Sequence, residues 1–128
     1  MRLLLDTHVF LWCMKSPEKL SAQAESAFFD AENALYLSAA SYWEICIKHA
    51  IRKITLTDNW KQRFDEEIAV NQILWIPIEK EHCQALTELP MVHKDPFDRI
   101  LIAQARFEGM ALLTADEQIQ KYEVPTLW

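Results

Sequence analysis

The sequence predicts an α/β domain in which a parallel sheet is covered by helices on both faces. Short apolar runs alternate along the chain with longer segments of helical periodicity, and this alternation is typical of parallel strands joined by helical crossovers. Hydrophobic residues make up 51% of the 128 residues, enough for the core of one domain spanning 1–128. In folds of this class, functional crevices lie beyond the carboxyl ends of the strands.

The first half of the chain contains two predicted strands and two predicted helices. Residues 2–5 (RLLL) form a short apolar run, which predicts a buried strand. From Leu20, apolar residues recur at i, i+4, i+7 and i+8, the spacing of one helix face, and Ser21 suits the start of that helix. Residues 35–38 (LYLS) predict a second strand, and a helix with an apolar side is expected from about 40 to 54.

The second half continues the alternation. Helices are predicted at 59–71, 79–89 and 98–108, strands at 73–76 and 111–113, and a polar loop at 90–96. Pro77 closes the third strand, because proline cannot donate to a strand ladder. Gly109 ends the helix before the fourth strand, since glycine readily adopts the left-handed conformation found after helix ends. A short helix and an apolar tail, VPTLW, follow the fourth strand.

The composition narrows the classes of function. Gly109 is the only glycine, which argues against a glycine-rich phosphate-binding loop. No run approaches the ~18 apolar residues of a membrane span, and Asp6 interrupts the N-terminal apolar run, which argues against a signal peptide. Three widely spaced cysteines without a CxxC pair are typical of reduced thiols, so we expect a cytoplasmic protein with no membrane contact.

The net charge of −6, taken alone, argues against a nucleic-acid partner, because binding to phosphates needs basic residues. The objection weakens if several acids bind metal. Leaving four such acids out of the count changes the charge from −6 to −2, and the charge of a bound cation would raise it further.

Four acids fall at the same end of the predicted sheet. Asp6 directly follows the first strand, and Asp116 closely follows the fourth. Glu44 lies early in the helix after the second strand, and Asp98 begins the helix that leads into the fourth strand. Crowded carboxylates cannot all ionise without a cation, and a hard ion that prefers oxygen ligands, such as Mg²⁺ or Mn²⁺, would resolve the crowding. The four acids together therefore predict a metal site.

Each of these acids also has a purely structural interpretation. Asp6, Asp98 and Asp116 stand where they could cap helices or favour a helix dipole. Glu44 could pair with Lys48 four residues later, a contact worth only ~0.2–0.5 kcal/mol. No single acid identifies the site, and the prediction depends on the set of four.

Four segments of the chain, in order, resemble the motifs of one known family: LLLDTHVFLW, SAASYWEICIK, HKDPFDRILIAQA and LLTADEQI. Over essentially the whole chain they are similar to the PIN-domain ribonucleases, and among these to the VapC-type toxins of bacterial toxin–antitoxin pairs. The resemblance implies a three-layer α/β/α fold with a central, mainly parallel sheet. It also implies cleavage of RNA that depends on Mg²⁺ or Mn²⁺, a homodimer, and a small cognate antitoxin as partner.

The catalytic acids of that family correspond in this sequence to Asp6, Glu44, Asp98 and Asp116. Within DPFD, Asp98 is preferred because it opens the predicted helix, and Asp95 is the alternative, as a supporting carboxylate or a turn residue before proline. Asp6 and Asp98 would bind the ion directly, and Glu44 and Asp116 directly or through water. The ion would activate water and stabilise charge on the phosphate, whether one ion binds or two.

Further side chains are candidates for supporting roles. Thr7 and Thr114 could orient Asp6 and Asp116 through their hydroxyl groups, or could be ordinary turn residues. The candidates for contact with the RNA backbone are Lys48, His93, Lys94 and Arg99. A solvated, charged helix face is the structural alternative for these residues.

Other classes of function fit the residues less well. A haloacid-dehalogenase-type phosphatase needs a second Asp two residues after the first, where this chain has His8. A phosphoacceptor receiver domain needs adjacent acids near the first strand and a lysine after a late strand, and this pattern is missing. A housekeeping PIN-type nuclease and a catalytically inactive interaction module remain as alternatives.

Overall fold

The computed structural model describes residues 1–128 as an α/β fold built on five parallel strands. In chain order the elements are β1 Arg2–Leu5, α1 Thr7–Lys15, α2 Ala22–Phe29, β2 Ala34–Ser38, α3 Ala39–Ala50, α4 Trp60–Val70, β3 Leu74–Ile76, α5 Lys80–Leu86, α6 Pro96–Glu108, β4 Ala111–Leu113, α7 Glu117–Gln120 and β5 Thr126–Leu127. A short 3₁₀ turn, Pro17–Lys19, links α1 to α2. None of the helices combines the length and the apolar character that crossing a bilayer requires.

The strand order β3-β2-β1-β4-β5 places the first strand at the centre of the sheet. β1 pairs in parallel with β2 on one side and with β4 on the other. Leu5 stands opposite Leu113, so the segments that leave β1 and β4 emerge side by side. The predicted α/β class with a parallel sheet is confirmed, and the carboxyl ends of the strands form one edge.

Side chains of β1 point alternately into two hydrophobic cores, one on each face of the sheet. Leu3 and Leu5 belong to the core that α1, α2 and α4 cover, and Leu4 belongs to the core that α6 and α7 cover. All three leucines are fully buried. The alternation follows from the two-residue period of a strand, and the two cores produce the three layers that the resemblance implies.

Helix α3 ends earlier than the sequence pattern predicts. The prediction extends from 40 to 54, but the helix stops at Ala50. Arg52 adopts a left-handed backbone conformation with φ of 60°, and the amide of Lys53 bonds back to the carbonyl of Lys48 at 2.8 Å. This left-handed closure satisfies the last helical carbonyls and turns the chain away, although the apolar periodicity continues.

Helix α6 and strand β5 show two further differences. Helix α6 begins at Pro96, two residues before the predicted start, because the fixed φ of proline suits the first turn of a helix. The tail VPTLW contains a fifth strand: the carbonyl of Pro125 accepts from Leu112, and that of Leu127 accepts from Thr114. Two residues are too few for a periodic pattern, so this strand depends on its pairing with β4.

Candidate active site

Asp6 is placed by the central strand and is only 4% exposed. Its amide continues the sheet pairing by donating to the carbonyl of Leu113 at 3.1 Å. Its carboxylate Oδ2 accepts a hydrogen bond of 2.7 Å from the hydroxyl of Thr114. The side chain makes no capping hydrogen bond to α1, although the nearby amide of His8 favours its charged form. The interpretation of the Asp6 carboxylate as a helix cap is therefore wrong.

Thr114 connects the two strand ends. Its hydroxyl donates to Asp6 and accepts a hydrogen bond of 3.0 Å from the amide of Asp116. Asp116 in turn caps α7, with Oδ1 accepting from the amide of Gln118 at 2.8 Å. Asp116 is thus a helix cap, as the structural interpretation predicts, but capping uses only one of its two carboxylate oxygens. Thr114 orients the carboxylate of Asp6, whereas it contacts Asp116 through the backbone.

Thr7 is buried but its hydroxyl bonds to no acid. The hydroxyl donates to Oγ of Ser41 at 2.9 Å and so joins the first turn of α1 to α3. The predicted role of Thr7 in orienting Asp6 is wrong, because its only hydroxyl proton is committed to Ser41. Ser41 lies one turn before Glu44, so this bond fixes α3 near the end of β1.

The two acids of the DPFD segment have different roles. Asp95 is exposed and caps α6, accepting hydrogen bonds from the amides of Phe97 at 2.9 Å and Asp98 at 3.2 Å. The prediction that Asp98 opens the helix is wrong, since Asp95 occupies the capping position. Asp98 lies in the first turn, where its side chain is 17% exposed and within electrostatic reach of Asp6.

Three of the acids influence one another electrostatically. Burial is the main cause of the raised pKa of Asp6, and the negative charge of Asp116 adds to it, while the hydrogen bond from Thr114 opposes the rise. Burial also raises the pKa of Asp98 to about 7, with further contributions from Asp95 and Asp6 and a smaller one from Asp116. We call Asp6, Asp98 and Asp116 the acid cluster.

Glu44 is not a member of the acid cluster. It is only 4% exposed, and its Oε2 lies 2.9 Å from Nζ of Lys48, so the predicted helix pair is present. Its charge is not among the causes that raise the pKa of Asp6 or Asp98. It lines an open groove of about 310 Å³ whose other polar side chains are Lys48, Lys53 and Asp95.

As the side chains stand, no three acidic, histidine or cysteine residues converge tightly enough to enclose a metal ion. The donor chemistry is nevertheless that of a hard cation, because all four predicted ligands offer carboxylate oxygens. Each of them commits one oxygen to a protein partner: Oδ2 of Asp6, Oε2 of Glu44, Oδ2 of Asp98 and Oδ1 of Asp116. The second oxygen of Glu44, Asp98 and Asp116 has no protein hydrogen bond, and the Asp6 carboxylate also lies near the amide of His8.

The basic residues predicted to contact RNA fall in different environments. Lys94 is exposed, and Lys48 is paired with an acid while remaining 34% exposed. Arg99 is buried, and its Nη1 donates to the carbonyl of Pro90 at 2.9 Å and to the hydroxyl of Tyr122 at 3.1 Å. The predicted RNA contact of Arg99 is therefore wrong, because its guanidinium group faces the protein.

The sequence pattern gives no indication of the residues that hold Asp98. His93 lies with Nε2 at 3.2 Å from Oδ2 of Asp98 and with Nδ1 at 2.9 Å from the hydroxyl of Tyr122. The predicted RNA contact of His93 is thus replaced by contacts within the protein. His93 and Tyr122 are 29 positions apart, so no local spacing could have linked them.

Comparison with known proteins gives the same family as the sequence motifs. The family model for the PIN domain matches residues 3–125. Ribonuclease VapC22 of Mycobacterium tuberculosis (strain ATCC 25618 / H37Rv) is 28% identical over 132 aligned residues, which cover 98% of this chain and 97% of that protein.

Two solved structures share the fold. The structure of VapBC2 from Rickettsia felis bound to a DNA fragment from its promoter matches with a TM-score of 0.71 and 12% identity, over 98% of this chain and 97% of that one. The structure of FitAcB from Neisseria gonorrhoeae matches with a TM-score of 0.60 and 18% identity, over 97% and 95%. These two similarities show the fold alone, whereas the match to the family model extends over nearly the whole length of the chain. The chain belongs to the PIN-domain family.

Proposed function

We propose that this chain is a ribonuclease that depends on Mg²⁺ or Mn²⁺, hydrolyses RNA phosphodiester bonds in the cytoplasm, and acts as the toxin of a toxin–antitoxin pair. The observation that carries the proposal is the acid cluster at the carboxyl edge of the sheet, where burial and mutual repulsion raise the pKa of Asp6 and Asp98. Membership of the PIN-domain family and the similarity to Ribonuclease VapC22 support nuclease activity.

Asp6 and Asp98 would hold the metal ion directly, and Glu44 and Asp116 would hold it directly or through water. A divalent cation fits these residues because it would replace the repulsion between buried carboxylates by attraction. When bound, the ion would supply activation of water and stabilisation of charge on the phosphate. Oδ2 of Asp6 already accepts from Thr114 and Oδ1 of Asp116 from Gln118, so the other oxygen of each carboxylate would be the freer one to bind the ion.

The protein's own residues would orient the substrate and the acids. Thr114 keeps the Asp6 carboxylate in one rotational position, because its short hydrogen bond is buried. Lys48 anchors Glu44 and is exposed enough to meet a phosphate as well. Lys94 is exposed in the loop before α6 and is the second proposed contact with the RNA backbone. Both would act as point charges on the phosphates.

The test of metal dependence is cleavage of RNA with and without a chelator. We expect EDTA to stop cleavage, and excess Mg²⁺ or Mn²⁺ to restore it. A parallel preparation of Asp6→Asn controls for contaminating ribonuclease, since it should be inactive under every condition. Undiminished cleavage by the wild-type chain in EDTA would contradict the metal mechanism.

The proposed partners are a second copy of this chain and a small antitoxin protein. An uncontrolled ribonuclease would degrade cellular RNA, so an external inhibitor is expected. An acidic site invites a cationic side chain of such an inhibitor. Exposed apolar side chains are available for protein contacts, with Trp43 at 59% and Val70 at 79% exposure.

The toxin proposal is tested by expressing the chain alone in a bacterial host. We expect growth arrest with the wild-type chain and normal growth with Asp6→Asn at equal protein levels. A wild-type chain that cleaves RNA in vitro but leaves growth unaffected would indicate a housekeeping nuclease. A folded chain that neither cleaves RNA nor arrests growth would indicate an inactive interaction module.

A further inference from the structure

Asp98 is held by a chain of hydrogen bonds that ends at a buried arginine. Oδ2 of Asp98 lies 3.2 Å from Nε2 of His93, and Nδ1 of His93 lies 2.9 Å from the hydroxyl of Tyr122. The same hydroxyl accepts a hydrogen bond of 3.1 Å from Nη1 of Arg99, and that nitrogen also donates to the carbonyl of Pro90 at 2.9 Å. Tyr122 and Arg99 are 4% and 6% exposed, so this part of the chain of bonds is shielded from water.

The direction of each hydrogen bond in this chain follows from which of its groups can donate and which can accept. A guanidinium group can only donate, so Tyr122 must accept from Arg99. The hydroxyl of Tyr122 also accepts from the backbone amide of His93 at 3.3 Å, which occupies its second lone pair. Its single proton then goes to Nδ1 of His93 at 2.9 Å, because the alternative acceptor, the carbonyl of His93, is 3.5 Å away.

The proton on the imidazole ring therefore sits on Nε2. Nδ1 of His93 accepts from Tyr122, and a neutral ring with one proton must carry it on the other nitrogen. In the neutral form, Nε2 donates to Oδ2 of Asp98, and Oδ1 of Asp98 remains for another partner.

We infer that His93 is a positioning residue for Asp98, held by Tyr122 and Arg99 in the tautomer that donates from Nε2. This inference deepens the proposed function, because Asp98 is one of the two proposed direct metal ligands. The bond commits Oδ2 and restricts rotation of the carboxylate, so that Oδ1 is presented to a cation in one orientation. Outer groups that orient ligands in this way typically contribute about 10- to 100-fold to metal affinity or activity.

A merely structural role is the competing explanation, since the same bonds tie the loop before α6 to Tyr122. His82 provides a matched control, because it is a buried histidine with the same kind of contacts, and its carboxylate partner Glu108 lies at the opposite end of α6 from Asp98. Its Nδ1 accepts from the amide of Glu79 at 2.9 Å, and its Nε2 lies 2.9 Å from Glu108. Replacing His82 should lower stability without changing the acid cluster.

The first experiment determines the tautomer in the full-length, metal-free chain by the ¹⁵N chemical shifts of the His93 ring at pH 8. We expect a protonated Nε2 and an unprotonated Nδ1 in the wild type. The Tyr122→Phe variant, which keeps the aromatic ring but lacks the phenolic proton, should lose this preference. A proton on Nδ1 in the wild type would overturn the inference, whether or not the chain proves to be a ribonuclease.

The second experiment measures Mn²⁺ affinity by calorimetry, together with melting temperature and the kinetics of RNA cleavage. We expect about 10-fold weaker Mn²⁺ binding for Tyr122→Phe and a larger loss for His93→Leu. The loss in cleavage should fall on kcat rather than on KM. His93→Gln should recover part of the loss, because its side-chain amide can still donate to Asp98.

The outcomes separate the inference from the proposed function. If His93→Leu and His82→Leu lower the melting temperature but leave Mn²⁺ affinity at the wild-type value, His93 is structural and the inference is wrong. If the wild type binds Mn²⁺ and His93→Leu weakens that binding, yet no RNA is cleaved, the positioning role stands and the ribonuclease proposal fails. Should His82→Leu not fold, His82→Gln replaces it as the control.

Discussion

The proposed site has two halves that are built in different ways. In the strand half, Asp6 follows β1 and Asp116 follows β4, and parallel pairing brings these strand ends side by side. In the helix half, Glu44 and Asp98 stand on α3 and α6, where side-chain partners hold them: Lys48 for Glu44 and His93 for Asp98. Backbone pairing thus places the first half, whereas the second half depends on side-chain contacts, one within α3 and one between α6 and the loop before it.

This difference predicts how each half responds to change. The strand half has one buried side-chain contact to lose, the Thr114 hydroxyl, and its backbone is fixed by the central sheet. The helix half depends on partners that are partly exposed, with Lys48 at 34% and the His93 side chain at 18%. Substitutions can therefore weaken either half separately while the fold remains.

The largest effect is expected from removing a proposed direct ligand. Asp6→Asn should lower RNA cleavage by more than about 100-fold, beyond the 10- to 100-fold typical of groups that only orient a ligand. Asn can still accept from Thr114, so the fold should survive, and the metal-free melting temperature should rise because a buried charge is removed. Cleavage assays with melting curves check both, and wild-type cleavage by Asp6→Asn would refute the assignment.

The helix half should respond equally strongly at Asp98. Asp98→Asn should also lower cleavage by more than about 100-fold. Asp95→Asn is its matched control, because asparagine still caps a helix and the site keeps its proposed ligand. Nearly full activity is expected for this control. The reverse result, with Asp95→Asn inactive and Asp98→Asn active, would show that the assignment within DPFD is wrong.

A smaller loss is expected when the buried hydroxyl of the strand half is removed. Thr114→Val keeps the shape of the side chain but leaves Oδ2 of Asp6 without its donor. We expect cleavage to fall by about 10- to 100-fold and stability by roughly 1–3 kcal/mol. Thr7→Val is the control, since it loses a buried bond to Ser41 instead. If both variants lose the same activity, Thr114 has no special role.

Glu44 should show a weaker effect than the acid cluster. Glu44→Gln should reduce cleavage through the metal site, whereas Lys48→Met should reduce it less. The ion pair itself contributes only ~0.3–0.5 kcal/mol as an i,i+4 contact. Rates measured at saturating Mg²⁺ compare the two variants directly. Equal losses would favour the interpretation that Glu44 serves the helix through Lys48.

The stability of the metal-free chain should also depend on pH. The pKa of Asp98 rises from 3.8 to about 7 on folding, so its contribution to stability is fully present below pH 3.8 and is lost as the pH rises through 7. The slope for one proton is at most ~1.4 kcal/mol per pH unit. Denaturation in EDTA between pH 4 and 8 should therefore show falling stability, less steeply in Asp98→Asn. A rise over this range would contradict the prediction.

Much of the fold follows from short-range patterns. The apolar runs at 2–5, 35–38, 73–76 and 111–113 correspond to the four longer strands, because a buried parallel strand leaves a continuous hydrophobic signal. The sequence pattern gives no bounds for α1 and does not predict β5. Apolar residues in α1 continue the strand run beyond Asp6, which obscures the boundary, and β5 is defined only by its pairing with β4.

The strand half of the candidate site could be predicted from the sequence, whereas the helix half could be only partly predicted. Asp6 and Asp116 can be placed at the sheet edge from their positions after strands. Asp95 and Asp98 look alike in the sequence, and only the structure shows that the first caps α6 while the second lies near Asp6. Arg99 is an ordinary cation in the sequence, but its burial against Pro90 and Tyr122 excludes it from the surface.

By itself, the sequence determined the alternation of strands and helices, the parallel sheet and the end of the sheet at which the acids collect. These properties depend on periodicity and on neighbours along the chain, which a linear pattern records. The tertiary structure alone decided which carboxylates approach each other and which partners hold them, such as Thr114 for Asp6 across 108 positions. Such contacts form only when distant segments pack, because the energy of a buried hydrogen bond depends on where both partners lie in space.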